Sequence, residues 1–348
     1  MSETAITQPA DPQPELAPAL LELLRCPTCR GVLGPAEAAL RCGSCARTFG
    51  IDDGIPQLFW PNEWEEGKTD VTEIVKQFYE ETPFPNYDDF DSVASLAHKA
   101  RQGMFARLLD EQVPPALRVI ECGCGTGQLS NFLSIANRTV LATDMCLNSL
   151  RLGRDFARRH HLERVHFVQM NLFRPAVAAE SFHLVISNGV LHHTSDPKLA
   201  FHSIARLVRP GGYILIGLYH RYGRLITDAR RALFRLSGNR FKALDPNLRR
   251  RESSGAKKTA WFADQYQHPH ESKHTIGETL GWLREAGLEF VRSIPGTRPG
   301  RAFSEGMRLF EPEPAGNALE RTVVELGMAR SGSREGGFFV VIGRKPSG

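Results

Sequence analysis

The chain has 348 residues, of which 41% are hydrophobic and 24% charged, and its formal net charge is +4. This length allows one large domain plus a smaller module, and no apolar run is long enough to span a bilayer. The composition is that of a globular protein rather than a membrane-spanning one, and the mild positive charge alone indicates little about partners.

Residues 1–20 are rich in proline, alanine, glutamine and acidic side chains. They lack the basic and then apolar pattern of a secretory signal. We therefore predict a disordered tail and a cytoplasmic protein.

Residues 21–60 contain two CxxC pairs separated by about a dozen residues: Cys26 with Cys29, and Cys42 with Cys45. In a chain without an export signal, clustered thiols indicate a metal before disulfides. Four thiolates can surround zinc tetrahedrally and leave no open position, which predicts a structural Zn²⁺. The alternative is four reduced surface thiols.

Residues 61–115 are predicted to form a helical connecting segment. Its stretch KQFYEETPFPNYDDF carries Phe78, Tyr79, Phe84 and Tyr87. These aromatic side chains either close over a bound ligand or simply pack in a core.

Residues 116–348 alternate buried apolar runs with helical patterns. RVIEC, TVLATD, VHFVQM, FHLVISN and YILIGLY are predicted strands, while QLSNFLSIA, LNSLRLGRDFARR and PKLAFHSIARLV are predicted helices between them. This alternation is typical of βαβ units and of a parallel sheet covered on both faces. A helix (TIGETLGWLREAG) and two further strands (LEFVRSIP and GGFFVVIGRK) are predicted near the C-terminus.

The first of these strands ends in Glu121 and is followed by Gly123, Gly125 and Gly127. Such a turn between strand and helix lets backbone approach a ligand, either a dinucleotide or S-adenosylmethionine. The dinucleotide pattern GxGxxG is not met, because Gln128 stands where its third glycine belongs. A carboxylate at Glu121 would repel a pyrophosphate but suits the ammonium group of a methionine moiety.

The next strand ends in Asp144, where an acid can accept hydrogen bonds from both ribose hydroxyls. The alternative role is a helix cap. Met145, which follows it, fits either the cofactor site or the core.

Four stretches resemble the class I S-adenosylmethionine-dependent methyltransferases: ECGCGTG, LATD, FHLVISNGVLHH and LVRPGGYILIG. The resemblance covers roughly residues 116–219, with the motifs in the family's order. It implies an α/β fold with a Rossmann-like, mostly parallel sheet of seven strands. The last strand, here GGFFVVIGRK, would be antiparallel.

The same resemblance implies roles for individual residues. Glu121 and the glycine turn would hold the methionine part, and Asp144 the ribose. Asn171 and Leu172 would flank the adenine, although Asn171 replaces a more usual aspartate and Leu172 fits the core equally well. Asn188 would lie near the transferred methyl group.

Two groups of histidines are candidates for a general base. His192 and His193 follow the fourth strand of the core, and His268 and His270 lie in WFADQYQHPHESKHTIGE. A histidine titrates near neutrality and can accept a proton. The alternatives are a structural role for the first pair and a polar loop for the second, in which Thr275 and Glu278 could form a capping box.

Residues 220–260 are predicted to form a basic helical insertion, because leucines recur at helical spacing between arginines. One interpretation is a lid helix packed on the core with a solvated charged face. Others are contact with an acidic or lipid-like substrate, a peripheral membrane contact, or RNA phosphates.

The cysteine module resembles small zinc ribbons that occur as activator subunits of methyltransferases acting on the translation machinery, or fused to bacterial methyltransferases. The favoured function is methyl transfer to a small organic acceptor, which includes anionic, carrier-linked and lipid-linked molecules. One alternative is methylation of rRNA, tRNA or a translation protein, and another is a catalytically inactive binding partner. The acceptor and the oligomeric state are not predicted.

Overall fold

A computed structural model describes residues 16–64, 67, 69–81, 87, 90–249, 255–300, 303–331 and 337–348. Most of the predicted tail and Phe84 therefore lie outside the described residues. None of the described helices combines the length and apolar character needed to cross a membrane.

Eleven strands form one sheet with the order β1-β2-β3-β4-β7-β6-β5-β8-β9-β11-β10. They are β1 (Leu33–Ala36), β2 (Ala39–Cys42), β3 (Thr48–Asp52), β4 (Ile55–Leu58), β5 (Arg118–Cys122), β6 (Thr139–Asp144), β7 (Val165–Met170), β8 (Phe182–Asn188), β9 (Val208–Tyr219), β10 (Glu289–Ile294) and β11 (Phe338–Arg344).

Twelve α-helices are described, and two shorter turns of helix matter for the site. The helices are α1 (Pro18–Leu23), α2 (Thr72–Glu81), α3 (Val93–Gln102), α4 (Met104–Gln112), α5 (Gln128–Ser134), α6 (Leu147–Arg159), α7 (Pro197–Ala205), α8 (Leu225–Leu236), α9 (Pro246–Arg249), α10 (Gly255–Phe262), α11 (Ile276–Glu285) and α12 (Ala318–Ser331). The two turns are a 3₁₀ turn at Leu191–His193 and a π-helical turn at Ala263–Gln267.

The α/β fold and its mostly parallel sheet are confirmed. Strands β5 to β9 pair in parallel, and β11 lies antiparallel to both β9 and β10. The predicted strands are buried along most of their length, as expected for a sheet covered on both faces. The capping box at the start of α11 is also present, with Thr275 and Glu278 each bonding the other's backbone.

The described sheet has eleven strands, four more than the seven predicted for the core alone. Strands β5 to β11 supply the expected seven, and the cysteine module adds four more. The junction is a parallel pairing of β4 with β7, in which Gln57 faces Gln169 and Leu58 faces Met170. The edge of the core sheet is thus extended by the module.

The last residues of the predicted tail, which ends at residue 20, belong to a helix. Helix α1 begins at Pro18, and its Leu20 and Leu23 side chains are buried. The chain after α1 pairs with the core, since Leu24 bridges Val177 in antiparallel fashion. Apolar side chains hidden in an otherwise polar stretch therefore order the end of the predicted tail.

The basic insertion contains helix α8. Helix α8 turns Phe234 inward, with 1% of its surface exposed, while Leu225 is 52% and Leu236 89% exposed. The leucine stripe of α8 therefore faces outward, and the lid-helix interpretation stays a prediction.

Candidate functional site

A cavity of about 860 Å³ lies at the carboxyl ends of the parallel strands. Eight of the nine predicted cofactor residues line it: Glu121, Gly123, Gly125, Asp144, Met145, Asn171, Leu172 and Asn188. The ninth, Gly127, does not line the cavity and instead begins helix α5. Residues at the carboxyl ends of β5, β6, β7 and β8 thus line the same cavity.

The glycine turn has a backbone that other residues would strain. Gly123, Gly125 and Gly127 have φ angles of +79°, +55° and +71°. A Cβ on Gly123 would lie 2.4 Å from Val190 Cγ1, and one on Gly127 would lie 2.7 Å from Phe167 Cε1. Turn conformation and close packing therefore both require glycine here, independently of any ligand.

Glu121 is a buried carboxylate at the floor of the cavity. Ser130 Oγ donates a 2.5 Å hydrogen bond to its Oε2. Burial raises the pKa of Glu121 to about 7, although the Ser130 hydroxyl opposes the shift. A cationic group placed beside Glu121 would favour its charged form.

Asp144 ties the two loops of the predicted cofactor site together. Its Oδ2 accepts a 2.8 Å hydrogen bond from Gly125 N, and its Oδ1 accepts one of 2.9 Å from Cys146 N. Burial raises its pKa to about 6, and these backbone donors hold the shift back. Asp144 therefore orients the glycine turn and the start of α6 while it faces the cavity.

Asn171 already has several partners. Its Nδ2 donates to Trp60 O at 2.8 Å and to Asn62 Oδ1 at 2.7 Å. Its Oδ1 accepts from Phe173 N at 3.0 Å. The amide therefore links the segment after β4 to the loop after β7, and a second lone pair on Oδ1 remains for a ligand.

His193 is the one predicted catalytic histidine that lines the cavity. Its Nδ1 lies 2.9 Å from the carbonyl oxygen of His270, and only a protonated Nδ1 can donate there. This contact assigns the tautomer and leaves the lone pair on Nε2. Burial lowers the pKa of His193 to about 4, so the ring is neutral at pH 7.

The other three predicted catalytic residues, His192, His268 and His270, do not line the cavity. His192 is fully buried, and its Nδ1 accepts from Tyr219 N at 3.3 Å. His268 Nδ1 accepts from His270 N at 3.2 Å, and the His268 ring lies 3.7 Å from that of His193. His270 Nε2 bonds Thr194 O at 3.1 Å. Their contacts hold loops and rings in place, and their catalytic role stays a prediction.

Four hydrogen-bonded side chains form a buried polar group beside His193, and of these Gln265 and Tyr219 were not predicted from the sequence. Asp264 Oδ1 accepts from Tyr79 Oη at 3.1 Å, and its Oδ2 accepts from Gln265 Nε2 at 2.8 Å. Gln265 Nε2 also donates to Tyr219 Oη at 2.8 Å. All four side chains line the cavity, and burial raises the pKa of Asp264.

An ion pair behind this group fixes Gln265. Arg224 is fully buried; it donates to Gln265 Oε1 at 2.6 Å and to Glu271 Oε2 at 2.7 Å. Burial alone would raise the pKa of Glu271, but Arg224 and Arg231 outweigh it and lower the pKa. With its oxygen held by Arg224, Gln265 keeps its NH₂ directed at Asp264 and Tyr219.

The remaining wall of the cavity is strongly apolar. It includes Phe90, Leu96, Ala100, Phe105, Phe132, Ile294, Phe303, Phe338 and Val340. Lys99 is the only lysine or arginine among the described residues that line the cavity. The cavity therefore combines a polar floor with a long apolar wall.

The four cysteine sulfurs of the module lie within 4.8 Å of one another. Cys29 and Cys42 are 3.4 Å apart, and Cys26 and Cys45 are 3.7 Å apart. Tetrahedral zinc with Zn–S bonds of about 2.3 Å requires sulfurs roughly 3.8 Å apart. The cluster therefore fits a structural Zn²⁺ held by all four thiolates.

We expect about one zinc per chain, and we expect its removal to unfold the module, because the binding energy of a structural zinc contributes directly to the folding of its site. Elemental analysis and a thermal melt before and after chelation measure this. Cys29→Ser should lose the metal, whereas Cys146→Ser, outside the cluster, should keep it. A metal-free preparation with an unchanged melting temperature would contradict the zinc site.

Two family matches cover parts of the chain. Residues 120–216 match a methyltransferase domain, and residues 17–54 match the Trm112p-like proteins. The first range holds the glycine turn and Asp144, and the second holds the cysteine cluster. The chain thus carries a match to a methyltransferase domain, preceded by a match to the Trm112p-like proteins.

Similar proteins match only part of this chain. An uncharacterized protein of Synechococcus is 29% identical over 198 residues, which is 50% of this chain and 48% of that protein. A ubiquinone biosynthesis O-methyltransferase of Klebsiella pneumoniae is 32% identical over 111 residues, 31% of this chain and 44% of that protein. The chain therefore spans about half the length of the curated relatives it matches.

Among solved structures, this chain is similar to the magnesium protoporphyrin IX methyltransferase of Synechocystis. Its TM-score is 0.46 at 14% identity, over 79% of this chain and 99% of that one. A complex between the Haloferax volcanii Trm112 methyltransferase activator and a methyltransferase has a TM-score of 0.43 at 14% identity, over 73% and 97% of the two chains.

Proposed function

We propose that this chain, in which a methyltransferase domain follows a Trm112p-like module, transfers a methyl group from S-adenosylmethionine to a hydroxyl group of a small, largely apolar molecule. One observation carries the proposal: a single cavity joins the predicted cofactor residues to a buried polar group and an apolar wall. The ubiquinone biosynthesis O-methyltransferases among the relatives support a hydroxyl acceptor.

The chemistry of the cavity floor fits the cofactor. The Glu121 carboxylate suits an ammonium group, and the Asp144 carboxylate suits a pair of ribose hydroxyls. When bound, S-adenosylmethionine supplies a methyl group already activated on a positively charged sulfur. The protein's main task is then to align the acceptor, since displacement requires an in-line approach.

His193 is the group we assign to remove the acceptor's proton. Its Nδ1–H is held by the His270 carbonyl, which leaves Nε2 as the basic atom. Asp264, held by Tyr79 and Gln265, lies in the same cavity wall and would stabilise the imidazolium that forms. The apolar wall would hold the body of the acceptor and exclude water.

A second candidate is methylation of RNA or a protein. The Trm112p-like match favours this second candidate. The cysteine module resembles activator subunits of methyltransferases that act on the translation machinery. The apolar wall opposes it, because a base or charged peptide would find a single cationic side chain, Lys99, among the described lining residues. A third candidate is a catalytically inactive binding partner. Titration with S-adenosylmethionine tests this candidate, because a protein that has lost catalysis in this way would not bind the cofactor.

The function is tested by incubating the full chain with methyl-labelled S-adenosylmethionine and a cell extract. We expect label in the fraction that partitions into organic solvent. Label in RNA or protein would support the second candidate instead. Heat-treated enzyme and the Asp144→Ala variant serve as controls for non-enzymatic transfer.

Binding of S-adenosylhomocysteine is expected to strengthen as the pH rises from 5.5 to 7.5. Because the pKa of Glu121 is about 7, its carboxyl is mostly protonated at the lower pH and cannot pair with the ammonium. Ionisation of Glu121 alone should raise the affinity by about 25-fold across this range, and ionisation of Asp144, whose pKa is about 6, should add about fourfold.

Isothermal titration calorimetry at several pH values measures the change. Glu121→Gln should bind more weakly and keep only the rise of about fourfold that Asp144 causes, since glutamine does not titrate. The same slope in the glutamine variant would remove Glu121 from the ammonium site.

A further inference from the structure

Helix α8 presents an apolar stripe to the outside. Positions 225, 229, 232, 233 and 236 fall on one face of a helix with 3.6 residues per turn. Leu225 is 52%, Leu233 37% and Leu236 89% exposed. The opposite face is buried, with Thr227 at 3% and Phe234 at 1%. A surface helix normally buries its leucines, so this orientation needs a partner that accepts them.

Further exposed apolar side chains and cations follow α8 closely in the chain. Phe241 and Leu244 are 52% and 44% exposed. Arg235, Arg240 and Lys242 are exposed beside them. No ion pair joins Arg235 or Arg240 to another described residue.

The acids of this region do not cancel that charge. Asp228 is paired with Lys273 at 2.6 Å, and Asp245 is only 2% exposed. The exposed face is therefore apolar at its centre and basic at its margins. We call this face the α8 surface and define it by Leu225, Leu233, Leu236, Phe241, Leu244, Arg235, Arg240 and Lys242.

We propose that the α8 surface binds an anionic lipid bilayer. An amphipathic helix lies in the interface with its apolar face among acyl chains, and each nearby lysine or arginine adds attraction to anionic headgroups. Charge argues against a second copy of this chain as the occupant. A two-fold contact would bring the arginines of both copies together, and like charges at an interface repel.

The α8 surface is coupled to the cavity through one layer of side chains. On its inner side, Arg231 donates to Gln265 O at 2.6 Å, and the Phe234 ring lies 4.8 Å from that of Tyr266. Gln265 and Asp264 of the same π-helical turn line the cavity. Where the proposed function holds, bilayer binding would bring the cavity wall close to a store of apolar acceptors.

Helix α12 offers a matched control. Its Leu319, Val323 and Leu326 also share one face and are 74%, 50% and 53% exposed. That stripe is flanked by both signs of charge, including Glu320 and Arg330. It has as many exposed leucine and valine side chains as the leucine stripe of α8, without the excess of cations.

The test is co-sedimentation of the full chain with vesicles of phosphatidylglycerol and phosphatidylcholine in equal parts, or of phosphatidylcholine alone. Wild-type protein should sediment with the anionic vesicles, and salt should weaken binding. Replacing Leu225, Leu233 and Leu236 by glutamine should lower the partition coefficient about tenfold or more, because the apolar contribution is lost. Arg235→Glu with Arg240→Glu should lower it similarly, and glutamines at positions 319, 323 and 326 should leave it within about twofold.

Circular dichroism and zinc content check that each variant is folded. Failure of wild-type protein to bind anionic vesicles would overturn the proposal, as would equal binding to neutral ones. Sedimentation velocity without lipid tests a third outcome that would overturn the proposal. If wild-type protein is a dimer and the leucine variant is a monomer, this face is an interface between copies of the chain. No methyl acceptor is used, so a failure here leaves the methyl-transfer proposal standing.

Discussion

Asp144→Ala is expected to weaken binding of S-adenosylhomocysteine by about a hundredfold. Two ribose hydroxyls would lose a charged acceptor, and each such hydrogen bond contributes about 1.5–3 kcal/mol. The variant also loses the bond from Gly125 N at 2.8 Å that holds the glycine turn. Isothermal titration calorimetry at pH 7.5, where the carboxyl is ionised, measures the loss.

Two comparisons separate ligand contact from folding. Asp144→Asn keeps the size and one acceptor oxygen, so its affinity should lie between those of wild type and the alanine variant. Asp155→Ala removes a half-exposed carboxylate of α6 that pairs with Arg158, away from the cavity, and should bind like wild type. Wild-type affinity in Asp144→Ala would remove Asp144 from the ribose role.

His193→Ala is expected to lower kcat by two to three orders of magnitude with little change in cofactor affinity. General-base catalysis by a positioned side chain typically contributes about 10²–10⁴-fold. His193 has a pKa of about 4, so its basic form is present above that pH and is lost as the pH falls through it. Wild-type kcat should therefore be insensitive to this group between pH 6 and 8.

His270→Asn is the matched control for His193→Ala. The bond to His193 Nδ1 comes from the His270 backbone carbonyl and survives the substitution. Its kcat should fall by less than about tenfold. An unchanged kcat in His193→Ala would contradict its role as the base, and Asp264→Asn would then be the next variant to measure.

The core strands could be predicted because each is a short buried run with its own sequence pattern. The segments TVLATD, VHFVQM and FHLVISN coincide with β6, β7 and β8. The junction of β4 with β7 could not be predicted. More than a hundred residues separate Gln57 from its partner Gln169, and no local pattern specifies which edge strands pair.

The cofactor wall was largely predictable, but the choice among the histidines was not. His192 and His193 are neighbours in the chain, yet the 3₁₀ turn at Leu191–His193 puts only His193 at the cavity. Sequence spacing gives no orientation within such a turn. Asp264 and Gln265 reach the cavity through a π-helical turn, which has no recognisable spacing in sequence.

The orientation of helix α8 also could not be predicted from the sequence. A helical pattern tells which residues share a face, and the leucines of α8 do share one. It does not tell which face is buried. Here Phe234 and Thr227, on the more polar side, pack inward, while Leu236 is 89% exposed.

The pairing of β4 with β7 has a consequence for stoichiometry. A ribbon on the same polypeptide is present at the sheet in a fixed one-to-one ratio and at millimolar effective concentration, whatever the protein level in the cell. A separate ribbon chain would have to compete with that tethered strand for the hydrogen-bonding groups of Gln169 and Met170. Asn171, one residue beyond β7, donates hydrogen bonds to Trp60 and Asn62 just after β4. Loss of the ribbon's metal would therefore disturb the position of Asn171 in the cavity.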